Sequence, residues 1–414
     1  MASNQAGQCG PYLSLSALLS LAIAVVLAVV IKRRYFSPLS DIPGPFLASF
    51  TRLWQAATMV KGDSLVVFYN LHQKHGPFVR VAPNEISVSH PDAPKQLLLT
   101  PLPKVRRSRR HGTSFRLTAT QSDWYRAGAV PDYRFQSTLS TTDPKAKAAR
   151  AKNFMQGYST SNLLMLEEHI DAPFALLLDW MDEFSALKRP MDLDKFFTFA
   201  AADVSGELLF SKSFGFISKG HDINKTLERS HTIMGIGSVS GYFPWLNRLL
   251  ANPVVTWAGI LPFGLIYNAA VDAIAEREKN PDVRCDILTH WFKAHREGKV
   301  TLRDIEAQAT LGVLGGTDAM STGLQSFVYH LIRHPGGWQR CRHEATEAQA
   351  RGKCTDRVVS FADARELPYL QACIKEALRM FGPTGTGLPR VVPKGGTKLG
   401  DRVFPEGTIL AIHP

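Results

Sequence analysis

The stretch that decides the fold is Thr301 to His334, TLRDIEAQATLGVLGGTDAMSTGLQSFVYHLIRH. Thr301 is a capping residue type, Asp304 follows three positions on, and Pro335 cannot continue a helix. The spacing therefore predicts one uninterrupted helix between them. At 1.5 Å per residue it would run about 50 Å, long enough to cross a whole domain. Its middle carries Gly312, Gly315 and Gly316. Each glycine costs roughly 1 kcal/mol against alanine inside a helix, so three so close together need a reason. One reason is the close approach of a neighbouring helix, or a kink. The other is a flat ligand lying against bare backbone, with Asp318 supplying a proton nearby. No Gly-Lys-Ser/Thr follows the glycines, so this is not a phosphate loop.

Toward the N-terminus, Tyr12 to Ile31 is almost wholly apolar and is followed at once by Lys32, Arg33 and Arg34. As a helix it would span about 30 Å, the thickness of a bilayer core. The basic residues follow the stretch and none precede it, which predicts a lumenal N-terminus and a cytosolic body rather than a cleaved signal peptide. The sequon Asn224-Lys225-Thr226 would then lie on the unglycosylated side. Asp41 to Phe46, DIPGPF, cannot be helical and reads as a stiff hinge or a plain linker. Phe78–Val81 and Glu85–Val88 around Ala82-Pro83-Asn84 read as two strands and a turn. Asn162–Phe184 and Met191–Phe210 have helical spacing, and Ser360 to Asp363 reads as a capping box.

The fold class expected from these elements is mainly α with a minor β-sheet, preceded by one transmembrane helix. The expected organisation is a lumenal tail and anchor over 1–34, a proline-rich hinge over 35–60 and one large domain over 61–414. Leu97 to Gln121 interrupts it with Lys104, Arg106, Arg107, Arg109 and Arg110 among prolines. It reads as a solvated loop, as an insert foreign to the ancestral fold, or as a nucleic-acid patch, the last opposed by the anchor. The chain's 414 residues hold 48 basic and 36 acidic side chains, net +12, a surplus that suits anionic partners. Its five cysteines, Cys9, Cys285, Cys341, Cys354 and Cys373, are widely spaced with no CxxC pair, so no metal site is expected.

Two segments in the C-terminal half give the pattern a family likeness. GGTDAMS, Gly315 to Ser321, resembles the oxygen-activation segment of the cytochrome P-450 central helix. LPYLQACIKEALRM, Leu367 to Met380, resembles that family's Glu-x-x-Arg helix, followed by Gly387-Leu388-Pro389-Arg390 and Phe404-Pro405-Glu406-Gly407-Thr408. DIPGPF, the His75–Val88 hairpin, the Asp143–Arg150 segment and His334-Pro335 fall in the family's order. The likeness covers 41–414 apart from the basic segment and is nearest to fungal secondary-metabolism members.

The resemblance implies a membrane-bound monooxygenase that oxidises a hydrophobic small molecule on heme, with electrons from an NADPH-dependent cytochrome P-450 reductase, anchored in the endoplasmic reticulum with a cytosolic body. By similarity Gly315 and Gly316 lie over the heme, Asp318 is the acid of the proton relay, and Arg390 grips a propionate. Glu376 and Arg379 form a buried structural pair. Ala319 stands where the family has its relay threonine, leaving Thr317 and Ser321 as candidate hydroxyls. Lys147 stands where an aromatic is usual and Ala151 where the second propionate arginine falls, with Arg150 and Lys152 flanking it. None of the cysteines has the neighbours of the family's axial ligand, which lies in a Phe-Gly-rich loop well after the Glu-x-x-Arg helix. The resemblance therefore implies a member cut short before that cysteine. The alternative reading is a truncated, heme-free and catalytically inactive relative.

Overall fold

The computed structural model describes residues 15–98, 120–259, 264–280 and 284–413. They form two compact units, one of residues 15–98 with 391–413 and one of residues 120–390. The basic segment Leu97–Gln121, and with it the expected insert, falls almost wholly outside the described residues.

The first unit begins with the helix Leu15–Tyr35, whose last turn carries Lys32, Arg33 and Arg34. Cations there face the negative end of the helix dipole. This helix is long and apolar enough to cross a membrane and is unburied throughout. The proline segment that follows is fastened to the first strand. The Arg80 N–H donates to the Pro43 carbonyl at 2.8 Å. The buried Arg80 guanidinium donates to the carbonyls of Arg33 at 2.9 Å and Pro83 at 2.7 Å. A Cβ on Gly44 would overlap the Arg80 carbonyl oxygen, so only glycine lets the two backbones meet. Stiffness here comes from these contacts as well as from the prolines.

Strands Phe78–Ala82 and Glu85–Val88 pair antiparallel, and Glu85–Val88 pairs parallel with Ile409–Ile412. His413, at the end of that strand, stacks on Phe68 with ring centroids 3.9 Å apart. Its Nδ1 shares a 2.8 Å hydrogen bond with the buried Ser87 hydroxyl, which also bonds His72 Nε2 at 2.7 Å.

The second unit is mainly helical, as the periodicity predicts. The expected Asn162–Phe184 helix is two, Thr160–Met165 and Glu167–Ala186, broken at Leu166, and the next runs Leu193–Phe210. Thr301 and Asp304 form the predicted capping box, from which one helix continues unbroken over Leu302–Arg333. This central helix lies along the largely buried Leu193–Phe210 helix. Beneath the helices Gly264–Lys279 and Ile287–Arg296, Arg277 and Asp286 form an ion pair at 2.8 Å, 3% and 0% exposed. Leu388–Val391 leads out of this unit, and Pro389 accepts a hydrogen bond from the Ser122 N–H beside the short strand Thr120–Gln121.

Candidate functional site

The three glycines of the central helix divide the two roles left open by the sequence. A Cβ on Gly312 would come within 3.0 Å of Leu209, and one on Gly316 within 2.9 Å of the Ser205 hydroxyl. Both therefore serve the close approach of the Leu193–Phe210 helix. A Cβ on Gly315 would meet nothing within 4 Å. Only Gly315 presents bare backbone to open space, and Gly316, expected beside it on a heme face, is turned to the neighbouring helix.

Two polar residues of the same segment, Thr317 and Ser321, lie on other faces of the helix than Gly315, and Asp318 lies about 60° from it. At about 100° per residue, Ala319 lies roughly 40° from Gly315 around the helix axis, whereas Thr317 lies about 200° away. Thr317 is 4% exposed. Ser321 sits against the Leu193–Phe210 helix, its Oγ 2.8 Å from Thr198 Oγ1, and it accepts a bond from Gln325 Nε2. Asp318 pairs with His231 of the helix Thr226–Ser240, Oδ1 to Nε2, at 3.2 Å. That bond to Asp318 raises the His231 pKa against the opposing effect of burial. The structure thus gives Asp318 a proton-carrying partner that the sequence did not indicate, and it does not bring Thr317 or Ser321 to the Gly315 face.

A second cluster is cationic. The helix Pro144–Phe154 starts at Asp143, whose carboxylate accepts from the Ala146 N–H at 2.7 Å, with Pro144 in the first turn. This capping sets Lys147 one turn inside, half-buried and within range of the Arg390 charge. Burial first, and then the Arg390 charge, push the Lys147 ammonium down to about 8. Arg390 Nη1 donates to the Tyr125 hydroxyl at 2.5 Å, and its guanidinium carbon lies 5.3 Å from the Tyr125 ring centroid. Burial raises the Tyr125 phenol, opposed by the neighbouring guanidinium. Among the described residues neither Lys147 nor Arg390 has a carboxylate partner. Arg150, one turn further on, is engaged elsewhere: it pairs with Asp304 and donates to the Gln136 carbonyl at 2.8 Å.

Glu376 and Arg379 differ from expectation. They form a two-pronged ion pair at 2.7 Å on the helix Pro368–Met380, but the pair is 60% and 65% exposed rather than buried. No described residue covers their face. The described cysteines are also occupied elsewhere. Cys354 is buried with Ala348 and Leu367, Cys341 and Cys373 are free thiols close enough to interact, and Cys285 Sγ lies 3.9 Å from His290 Nε2.

With this geometry in hand, comparison with known proteins is decisive for the family. The Cytochrome P450 family model matches residues 42–414. A cytochrome P450 monooxygenase of Aspergillus terreus is 28% identical over 415 residues, covering 97% of this chain and 81% of that protein. Pisatin demethylase of Fusarium vanettenii is 28% identical, covering 92% and 71%. A cytochrome P450 monooxygenase of Penicillium aethiopicum is 29% identical, covering 90% and 74%. The chain belongs to the cytochrome P450 family, among the fungal secondary-metabolism monooxygenases, which are oxidoreductases.

The family implies heme, and the residues present fit it in part. Two neighbouring cations without carboxylate partners suit the propionate edge of a porphyrin, because an arginine fork and an ammonium both bind carboxylates. The bare backbone at Gly315 suits a flat face. The iron's axial thiolate has no counterpart among the described cysteines, each of which is engaged as above.

Proposed function

We propose that the protein is a membrane-anchored heme monooxygenase oxidising a hydrophobic small molecule in secondary metabolism, with electrons from an NADPH-dependent reductase. The observation that carries the proposal is the cationic cluster of Arg390, bonded to the Tyr125 hydroxyl, and the half-buried Lys147 within range of its charge, with no carboxylate partner on either among the described residues. Lys147, Arg390 and the Tyr125 hydroxyl would hold the propionates, with Lys147, at the position where an aromatic is usual, supplying the second cation that Ala151 cannot. Heme, when bound, supplies the iron that activates dioxygen. Gly315 leaves room for the ring face, and His231, its pKa raised by the bond to Asp318, would carry a proton on the adjoining turn. The helix Leu15–Tyr35, followed by its basic turn, would anchor the protein in the endoplasmic reticulum with the body cytosolic. The net charge of +12 suits docking of an acidic reductase.

A second reading is a heme-free relative without catalysis. It is favoured by the exposed Glu376–Arg379 pair. The test is spectroscopy on the protein purified from its native membrane fraction. Reduced and treated with carbon monoxide, it is expected to show the absorption band of a carbon monoxide-bound heme and to consume NADPH with a reductase. No such band would overturn the first reading in favour of the second.

A further inference from the structure

A cavity of about 190 Å³ lies between the helices Leu193–Phe210, Thr226–Ser240, Gly264–Lys279 and the central helix. Its walls are mostly apolar and include Phe214, Phe216, Leu227, Val313 and Leu314. Of the central-helix residues that face it, Val313 and Thr317 lie roughly 160° around the axis from Gly315, Leu314 about 100° and Asp318 about 60°. The cavity therefore runs from the flank of the helix beside Asp318 round to its reverse side relative to Gly315, and Gly315, Ala319, Tyr125, Lys147 and Arg390 do not line it.

One polar atom within it is unsatisfied. Thr317 Oγ1 is buried and has no hydrogen-bond partner. A threonine in a helix ordinarily bonds the carbonyl one turn back, as Thr310 does to Glu306 at 2.8 Å. A buried hydroxyl left unpaired is destabilising, and a ligand that bonds it removes that penalty. At the solvent side the cavity is closed by His231 and Asp318, 56% and 30% exposed.

We infer that this cavity is a second ligand site, separate from the oxidation site, for one small apolar molecule carrying a single hydrogen-bonding group, the size of a substituted phenol. An apolar cavity of ~150 Å³ is enough to take benzene. The apolar walls supply the affinity and the Thr317 hydroxyl selects the polar group. Nothing in the inference depends on heme being bound.

The probes are 4-fluorophenol and fluorobenzene, titrated into the full chain in detergent and followed by fluorine NMR. The expected result is saturable one-to-one binding, with 4-fluorophenol about three- to tenfold tighter, the range one net hydrogen bond gives. Thr317→Val is expected to make the two probes equal. Ala269→Phe, and Leu227→Trp as a second filling variant, are expected to abolish the saturable component while the circular-dichroism melt is retained. Equal partitioning into wild type and both filling variants would overturn the site. A phenol preference that persists in Thr317→Val would overturn the role of the hydroxyl.

Discussion

Replacing Lys147 with methionine and raising the pH through 8 remove the same charge from the Tyr125 cleft. Lys147 has an ordinary value of 10.5 and is held at about 8 by burial and by Arg390. A depressed lysine is charged below its folded value and neutral above it, so the cleft keeps both cations at pH 7 and one at pH 9. A bound carboxylate restores the lysine toward its ordinary value. The affinity for a propionate-bearing ring then falls by about half near pH 8 and by up to roughly tenfold between pH 7 and pH 9. Lys147 is only half-buried, and solvent screening makes tenfold the upper figure. The assay uses iron-free protoporphyrin, whose fluorescence reports binding without needing an axial ligand. Wild-type affinity is expected to drop across that interval, Lys147→Met to bind weakly with no drop, and Lys147→Arg to bind well with no drop. Equal pH profiles for wild type and Lys147→Met would refute the assignment of the cleft to carboxylates.

Three further outcomes follow from the packing. His413 is part-buried and held near 3, chiefly by desolvation and then by His72, so the unfolded chain takes up a proton near 6.5 that the folded one refuses. Stability is intact above about pH 6.5 and falls toward pH 3 by up to about 1.4 kcal/mol per unit. Urea titrations at pH 7 and 5 should show this slope reduced in His413→Gln, and an unchanged slope would contradict it. Asp286→Ala leaves the Arg277 charge buried and uncompensated, and chemical denaturation should show a loss of about 3–5 kcal/mol, much less for the Arg277→Met, Asp286→Ala double variant. Arg379→Met, by contrast, should leave the denaturation midpoint where it was, since both partners of its pair are solvent-exposed; a large drop would mean that something covers that face.

The central helix, its capping box, the first hairpin and the apolar N-terminal helix were all legible in the sequence, because each rests on neighbours within a few residues. The Glu-x-x-Arg spacing likewise gave the ion pair itself. Its exposure was not legible, since burial depends on what another segment lays over the helix. The expected Asn162–Phe184 helix was broken at Leu166 for a similar reason: periodicity marks an apolar face but not a local turn of backbone.

Within the site, sequence alone determined which residue types stand on the central helix and that three glycines there needed an explanation. Tertiary structure decided which glycine did what. Gly312 and Gly316 meet the Leu193–Phe210 helix and Gly315 meets open space, a distinction set by rotation about the axis against a neighbour more than a hundred residues away. It also turned Thr317 and Ser321 from the Gly315 face, set His231 against Asp318, and put Lys147 within range of the Arg390 charge. Those pairings join distant parts of the chain, and residue spacing carries no information about them until the helices pack.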